Sequence, residues 1–140
     1  MSNAIPSGYP VTDKLLDDHT WDGITCYGTA DVDLVFGEVC YQKADGDFAK
    51  GLATTAGTTM PVMAIALEDI LADATGKFLL IGFIRDDTWG ALTIGGIMYV
   101  DPNTAGDMTQ ALGDLVQVLG VAKTAVIIYF SPSFEMVEIA

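Results

Sequence analysis

The last third of the chain constrains the fold most, because short apolar runs follow one another there between turn-forming residues. The runs are Phe78 to Ile84, Gly96 to Val100, Leu115 to Ala122 and Ala125 to Phe130. Each is bounded by Asp, Asn, Gly, Pro or Thr, a pattern typical of antiparallel strands joined by short turns. Since Phe78 to Ile84 is apolar at nearly every position, we expect that strand to be buried on both faces.

Strand signals also precede this region. Ile24 to Tyr27 and Val32 to Gln42 read as strands, and the Asp45-Gly46 pair predicts a two-residue hairpin turn before Phe48 to Leu52. Asp45-Gly46-Asp47 could also open a calcium loop. The twelfth position of that loop would be Ala56, where an EF-hand needs Glu, so the turn is favoured.

One segment departs from the strand pattern. Leu67, Ile70, Leu71 and Ala74 recur at the spacing of one helix face, and Gly76 follows as a C-terminal cap. The pattern predicts one short helix over about residues 67–74.

The first 20 residues differ from the rest, because Pro6, Gly8 and Pro10 oppose regular structure. We therefore expect an extended N-terminal arm over residues 1–20 and a single all-β domain over residues 21–140, a compact antiparallel barrel or sandwich. The arm is either a frayed terminus or a tether. As a tether it would dock on a neighbouring subunit, and the candidate contact residues, together with one in the domain, are Ile5, Tyr9, Val11, Leu15, Leu16 and Trp89.

The charge of the chain excludes several classes of partner. Lys and Arg together number 6 against 19 Asp and Glu, for a net charge of −13. Such a surface repels nucleic acid and anionic lipid.

No apolar stretch reaches the roughly 18 residues of a membrane span, and no signal-peptide pattern occurs. Cys26 and Cys40 lack metal-ligand spacing, so we expect reduced core residues in a protein made in a reducing cytoplasm.

The sequence offers little for catalysis. The single histidine, His19, lies in the Pro- and Gly-rich N-terminal region, and no nucleophile elbow, zinc-protease motif or phosphate loop occurs. We therefore expect no enzyme activity, no catalytic residues, no cofactor and no metal.

Arg85, the only arginine, precedes Asp86 and Asp87. It forms either an exposed ion pair or a clamp that organises the loop to Trp89.

A series of segments follows one another in a recognisable order over roughly residues 35–140: Gly37 to Tyr41, Asp45-Gly46, Ala64 to Leu67, Gly76 to Trp89, Gly95 to Val100, Gly106 to Gln110, Val116 to Ala122, Tyr129 to Ser133 and Val137 to Ile139. In this order the segments resemble a family of small tailed-phage virion proteins that occur as capsid decoration or head-fibre-like subunits. Ala111-Leu112 stands where members of that family usually carry a proline.

The resemblance implies a compact β-domain without catalytic residues, made in the host cytoplasm and located on the capsid surface of a virion. Its implied partners are the major capsid protein and copies of itself, with a homotrimer favoured. Half of the residues are hydrophobic, so Val126 to Phe130 or the Trp89 loop is expected to be covered by another copy. The alternative is a receptor- or glycan-binding adhesin domain of a phage fibre or tail, with Trp21, Trp89 and Tyr99 as a stacking platform.

Overall fold

A computed structural model describes residues 13–54 and 58–138 of the chain. Strand is by far the dominant regular structure of these residues, which confirms the all-β prediction. The strands are β1 (Thr20–Thr29), β2 (Val39–Gln42), β3 (Phe48–Lys50), β4 (Val62–Ala66), β5 (Thr75–Arg85), β6 (Ile97–Val100), β7 (Met108–Thr109), β8 (Leu115–Val116), β9 (Val118–Ala122), β10 (Ile127–Phe130) and β11 (Val137–Glu138). Two single-turn 3-10 helices span Asp13–Leu15 and Asp87–Trp89.

The strands form an antiparallel sheet that curves into a half-barrel. Eight of them follow the order β3-β2-β4-β5-β10-β9-β6-β7, β1 pairs with β5, and β11 pairs with β8 in a separate two-stranded sheet. Within the described ranges no helix has the length and apolarity that a membrane crossing requires.

Strand β5 is the centre of the sheet. One of its edges pairs along its whole length with β1. Its other edge is shared, because β4 pairs with Phe78 and Leu79 while β10 pairs with the stretch from Gly82 to Arg85. The sheet therefore divides at β5 and curves around one core.

The larger core lies inside this curve. Leu79 and Ile84 both enter it, although strict alternation would place residues five apart on opposite faces. The register explains this, because Thr25 pairs with Leu79 while the preceding Ile24 pairs with Ile81. The extra residue on β5 is a β-bulge that returns the later side chains to the core.

A smaller core covers the opposite face of β4 and β5. Phe78 and Phe48 stack in it with ring centroids 4.5 Å apart, beside Leu34, Cys40 and Ile70. The N-terminal half of β5 is thus buried on both faces, as expected. Its C-terminal half leaves Phe83 only half-buried on the outer face. Cys40 is buried and Cys26 packs against this core, both as free thiols.

The predicted helix at about residues 67–74 is wrong, because this segment forms bends and turns before β5 begins. Apart from a turn bond from the Ala74 N–H to the Leu71 carbonyl, four of its backbone hydrogen bonds go to a distant segment. Ile70 exchanges two backbone hydrogen bonds with Leu34, and Ala74 and Asp73 bond with Ala30. Leu67 and Ile70 are buried, but they serve two different cores.

The strand predicted over Val32 to Gln42 is shorter than expected, since only Val39–Gln42 is β2. The residues before it form the loop that carries Leu34 into the smaller core. The hairpin between β2 and β3 is confirmed, but its loop runs from Lys43 to Asp47. Only Gly46 has a positive φ there, 97°.

Candidate functional site

The distinctive polar residues of the chain meet where β1 begins and β5 ends. Arg85, the last residue of β5, binds the Asp87 carboxylate through Nε at 2.8 Å and through Nη2 at 3.3 Å. Its Nη1 donates to the carbonyl oxygen of Leu15 at 3.1 Å. The Arg85 side chain is only 14% exposed. This geometry confirms the clamp interpretation of Arg85 over the exposed ion pair.

Asp86 lies between the end of β5 and the start of the second 3-10 helix. Its Oδ1 accepts from the backbone N–H of Thr88 at 3.0 Å and from the Thr88 hydroxyl at 2.7 Å. The residue is buried. Asp86 is therefore an N-cap that fixes the direction of the loop carrying Trp89.

His19 and Asp18, which directly precede β1, pack against this loop. The N–H of His19 donates to the Arg85 carbonyl at 3.1 Å, and the His19 ring stacks on Phe36 with centroids 4.3 Å apart. Asp18 Oδ1 accepts from the backbone N–H of Asp87 at 2.8 Å. That bond, more than any other contact, lowers the pKa of Asp18 from its ordinary value.

Asp18, His19 and Asp86 bring three potential ligand atoms together. His19 Nε2 lies 3.7 Å from Asp86 Oδ1 and 3.8 Å from Asp18 Oδ2, and all three ligand atoms lie within 4.8 Å of one another. Imidazole and carboxylate are ligands that zinc and similar divalent ions accept. The sequence did not indicate this cluster, because only the β1–β5 pairing brings residue 18 to residue 86.

A cavity of about 300 Å³ adjoins the loop. Its charged lining residues are all acidic: Glu38, Asp86 and Asp107. Lys50 Nζ lies 3.2 Å from Glu38 Oε2 and balances one of these charges. Burial, followed by the nearby carboxylates of Asp101 and Glu38, raises the pKa of Asp107. Such a cavity favours small cationic groups over anions.

A second carboxylate cluster lies at the β2–β3 loop. Asp31, Asp45 and Asp47 have carboxylate oxygens within 4.8 Å of one another. Lys43 Nζ lies 2.8 Å from Asp31 Oδ1 and 3.7 Å from Asp45 Oδ2, and the hydrogen bond to Asp31 raises the pKa of Lys43. The Lys43 ammonium group thus already supplies a cation to this cluster.

The predicted contact residues separate into three groups. Ile5, Tyr9 and Val11 lie outside the described residues. Leu15 is 1% exposed, because the first 3-10 helix packs against β1 and β5, so its side chain is withdrawn from any outside contact. Leu16 is exposed, and Trp89 is half-buried between the cavity and the larger core.

The aromatic platform proposed from the sequence is not assembled as expected. Trp21 and Trp89 pack against the larger core, while Tyr99 lies on β6 opposite Thr109 and Val118. The sequence reasoning missed Lys77, whose Nζ lies 5.6 Å from the ring centroid of Trp21 and 5.7 Å from that of Tyr27. Tyr27 is 71% exposed, so this pair of rings reaches the surface.

Comparisons of the chain with protein-family models, with curated proteins and with solved structures find no match.

Proposed function

We propose that the chain is a non-enzymatic structural protein of a tailed-phage virion, which decorates or cements the capsid exterior as a homo-oligomer, with a trimer favoured. The observation that carries this proposal is the position of the segments that resemble the phage family. They supply β2, β4, β5, β6, β9 and β10, which are neighbours in one sheet path. The resembling segments therefore form the main sheet of the domain. A stable β-sheet domain is what a decoration protein requires.

The most distinctive of these segments also has a structural role. In the stretch from Arg85 to Trp89, Arg85 joins the end of β5 to Asp87 and to the first 3-10 helix, and Asp86 caps the following turn. Bidentate arginine–carboxylate pairs are strong and geometrically specific. The Arg85–Asp87 pair holds the backbone around the end of β5, which supports the proposal of a rigid structural protein.

The charge supports an outward position on the particle. With a net charge of −13, the protein would be repelled by packaged nucleic acid. It would instead be attracted to basic surface of the major capsid protein, the partner that the proposal requires. Within the described residues, Leu16 and Trp89 remain candidate contacts. The candidates Ile5, Tyr9 and Val11 keep their place in the proposal as parts of the arm.

Antibody labelling of intact particles tests this function. Particles of the phage that encodes the chain are purified and incubated with an antibody against the purified protein. We expect labelling over the head in a regular, high copy number, and loss of labelling in particles assembled without the gene. Intact particles that contain the protein without accessible epitopes would remove the exterior assignment, and particles without the protein would remove the proposal.

The arrangement of Lys77 with Trp21 and Tyr27 favours a second candidate, an adhesin domain that binds a glycan. Exposed aromatic rings stack on the apolar faces of sugars, and a nearby ammonium can donate to hydroxyl groups. A glycan array tests this candidate. A saturable signal that the Tyr27→Ala variant loses and the Tyr41→Ala variant keeps would favour the adhesin. If no glycan gives a signal, the decoration protein remains as the proposed function.

A further inference from the structure

The strand register places four apolar side chains in one row on the outer face of the sheet, and a further apolar pair adjoins this row. Phe83 lies directly opposite Tyr129, Tyr129 opposite Val121, and Val121 opposite Ile97. Directly paired residues point to the same face. Two residues before Phe83 on β5, Ile81 lies opposite Ile24 on β1. We call the row and the adjoining pair together the outer band, and its members are Ile24, Ile81, Phe83, Tyr129, Val121 and Ile97.

The outer band is apolar and partly open to solvent. Ile24 is 62% exposed and Ile97 is 39% exposed, while the four residues between them are half-buried. The Phe83 and Tyr129 rings are in contact, with centroids 5.0 Å apart. The band crosses five strands, a width of about 20 Å at the ordinary spacing of strands. Contiguous apolar surface of this kind marks an interaction site.

The band continues a face that the chain itself covers elsewhere. On the N-terminal half of β5 the smaller core lies over this face, with Leu34 and Phe48 above Phe78. At the end of β5 the first 3-10 helix covers it, fixed by Arg85 and by the ion pair of Lys14 with Asp22. The residues between these two covers form the outer band.

Charge decides which partner fits this band. None of its six residues is charged, in a chain with 19 acidic and 6 basic side chains. The charged residue directly opposite Phe83 on β1 is Asp22, whose carboxylate lies 3.6 Å from Lys14 Nζ. Two copies of net charge −13 repel each other, so they approach best across an uncharged surface. A basic partner would instead favour the acidic surface. The band therefore fits a second copy of the chain better than it fits a basic partner.

The edge of β1 offers the second copy backbone groups as well. Among the described strands β1 pairs only with β5, so none of those strands lies along its other edge. Solvent-exposed edges are ordinarily protected by proline, lysine or a bulge on the edge strand. The sequence from Thr20 to Thr29 contains no proline or lysine, and Asp22 is its only charged residue. Ile24 of the outer band lies on this edge strand.

We propose that the outer band and the adjoining edge of β1 are the surface through which copies of this chain associate. The inference deepens the self-association in the proposed function by naming its surface. It also replaces the segment that the sequence suggested, because Ile127, Ile128 and Phe130 are buried inside the domain and only Tyr129 contributes to the band.

Sedimentation velocity of the full-length protein over about a hundredfold range of concentration tests the proposal. Ile24→Lys and Ile97→Lys each place a charge on the band. We expect each substitution to raise the dissociation constant of self-association by at least about tenfold. The matched control is Leu71→Lys, which makes the same change of charge at a residue that is 72% exposed in the turn before β5.

Hydrogen exchange of the unmodified protein gives a second readout that needs no variant. We expect the amides of β1 to exchange more slowly as the protein concentration rises. A protein that stays monomeric over the whole range, or a Leu71→Lys variant that dissociates as readily as the band variants, would overturn the inference. A monomer that still decorates particles would overturn the inference and the homo-oligomer but leave the decoration role standing, whereas a self-associating protein absent from particles would remove the decoration role and leave the inference standing.

Discussion

Gly23 on β1 lies directly opposite Gly82 on β5, and neither position has room for a side chain. A Cβ at Gly82 would meet the Asp22 carbonyl oxygen and would lie 2.6 Å from the Cα of Gly23. A Cβ at Gly23 would meet the Ile81 carbonyl oxygen. The two backbones approach this closely next to the β-bulge on β5, where the sheet divides. The glycine pair therefore permits, together with the bulge, the curvature of the sheet.

Gly82→Ala is therefore expected to destabilise the fold by about 3 kcal/mol or more, because it adds a backbone clash to a φ of 142° that favours glycine. Urea unfolding followed by tryptophan fluorescence measures the change. Gly113→Ala is the control, since a Cβ there makes only ordinary contact with Pro102 and should change stability by less than about 0.5 kcal/mol. Equal effects of the two substitutions would contradict this account.

The clamp of Arg85 predicts that its geometry matters more than its charge. Arg85→Lys keeps the charge but cannot bind the Asp87 carboxylate with two N–H groups while donating to the Leu15 carbonyl. We expect a loss of about 1–2 kcal/mol in the free energy of unfolding. A double-mutant cycle with Asp87→Asn checks the assignment. Strictly additive effects would show that the two side chains do not act together.

A comparison of Gln117 with Gln110 measures how much burial adds to the loss of stability when the hydrogen bonds of a glutamine are disrupted. Gln117 is fully buried between β8 and β9, where Oε1 accepts from the Val62 N–H at 2.7 Å and Nε2 donates to the Val62 and Ser133 carbonyls. Gln110 makes the same two kinds of bond with Thr93, but it is half-exposed.

We expect Gln117→Glu to cost about 3 kcal/mol or more at neutral pH, since a carboxylate would face two carbonyl oxygens without water. Gln110→Glu should cost less than about 1 kcal/mol, because water replaces the lost bonds. The cost at Gln117 should shrink as the pH falls, because a protonated carboxyl group can donate again. Urea unfolding at several pH values measures both variants, and equal costs would contradict the role of burial.

The strands of the last third could be predicted because local signals and final structure agree there. The run from Phe78 to Ile84 lies within β5, and the other runs contain β6, β8, β9 and β10. The helix at about residues 67–74 could not be rejected from sequence. Its apolar spacing is genuine, but the backbone bonds of Ile70 to Leu34 depend on a segment 36 positions away.

The candidate site was hidden for a similar reason. Arg85, Asp86 and Asp87 were identifiable as a charged group after a strand, so a clamp was foreseeable. Its partner Leu15 was not foreseeable, because it was assigned to an arm outside the domain. Likewise, the outer band follows from the order β1-β5-β10-β9-β6, which no local pattern specifies.

The raised pKa of Asp107 predicts a pH-dependent penalty. A raised pKa means that the folded state binds the proton more readily than the unfolded chain does, so ionised Asp107 lowers stability. This penalty is present above the folded-state pKa and disappears as the pH falls below the ordinary value of 3.8.

Asp107→Asn should therefore stabilise the protein near neutral pH, by no more than about 0.5 kcal/mol after solvent screening. It should give no gain at a pH below the ordinary value. Asp114→Asn is the control, because it removes one charge from an exposed residue. Thermal unfolding at both pH values measures the difference, and a gain that persists in acid would contradict the electrostatic cause.

Because Leu15 is buried in the domain, the domain begins before residue 20, and the effect expected of an N-terminal truncation on stability depends on where the truncation ends. Deleting residues 1–20 would remove the buried Leu15 side chain, the carbonyl that Arg85 binds and the bond from Asp87 to Asp18. We expect this deletion to destabilise the domain strongly, whereas deletion of residues 1–12 keeps Leu15 and Asp18 in place.

Two substitutions in the full-length chain isolate the cause. Leu15→Ala should cost about 2–5 kcal/mol, the usual range for a buried leucine, and Leu16→Ala should cost less than about 1 kcal/mol because that side chain is exposed. Urea unfolding measures all four proteins. If the arm is a tether, the chain that lacks residues 1–12 folds but no longer attaches to capsids or to sister subunits. Unchanged occupancy on particles after that shorter deletion would refute the tether, and equal costs at Leu15 and Leu16 would refute the new boundary.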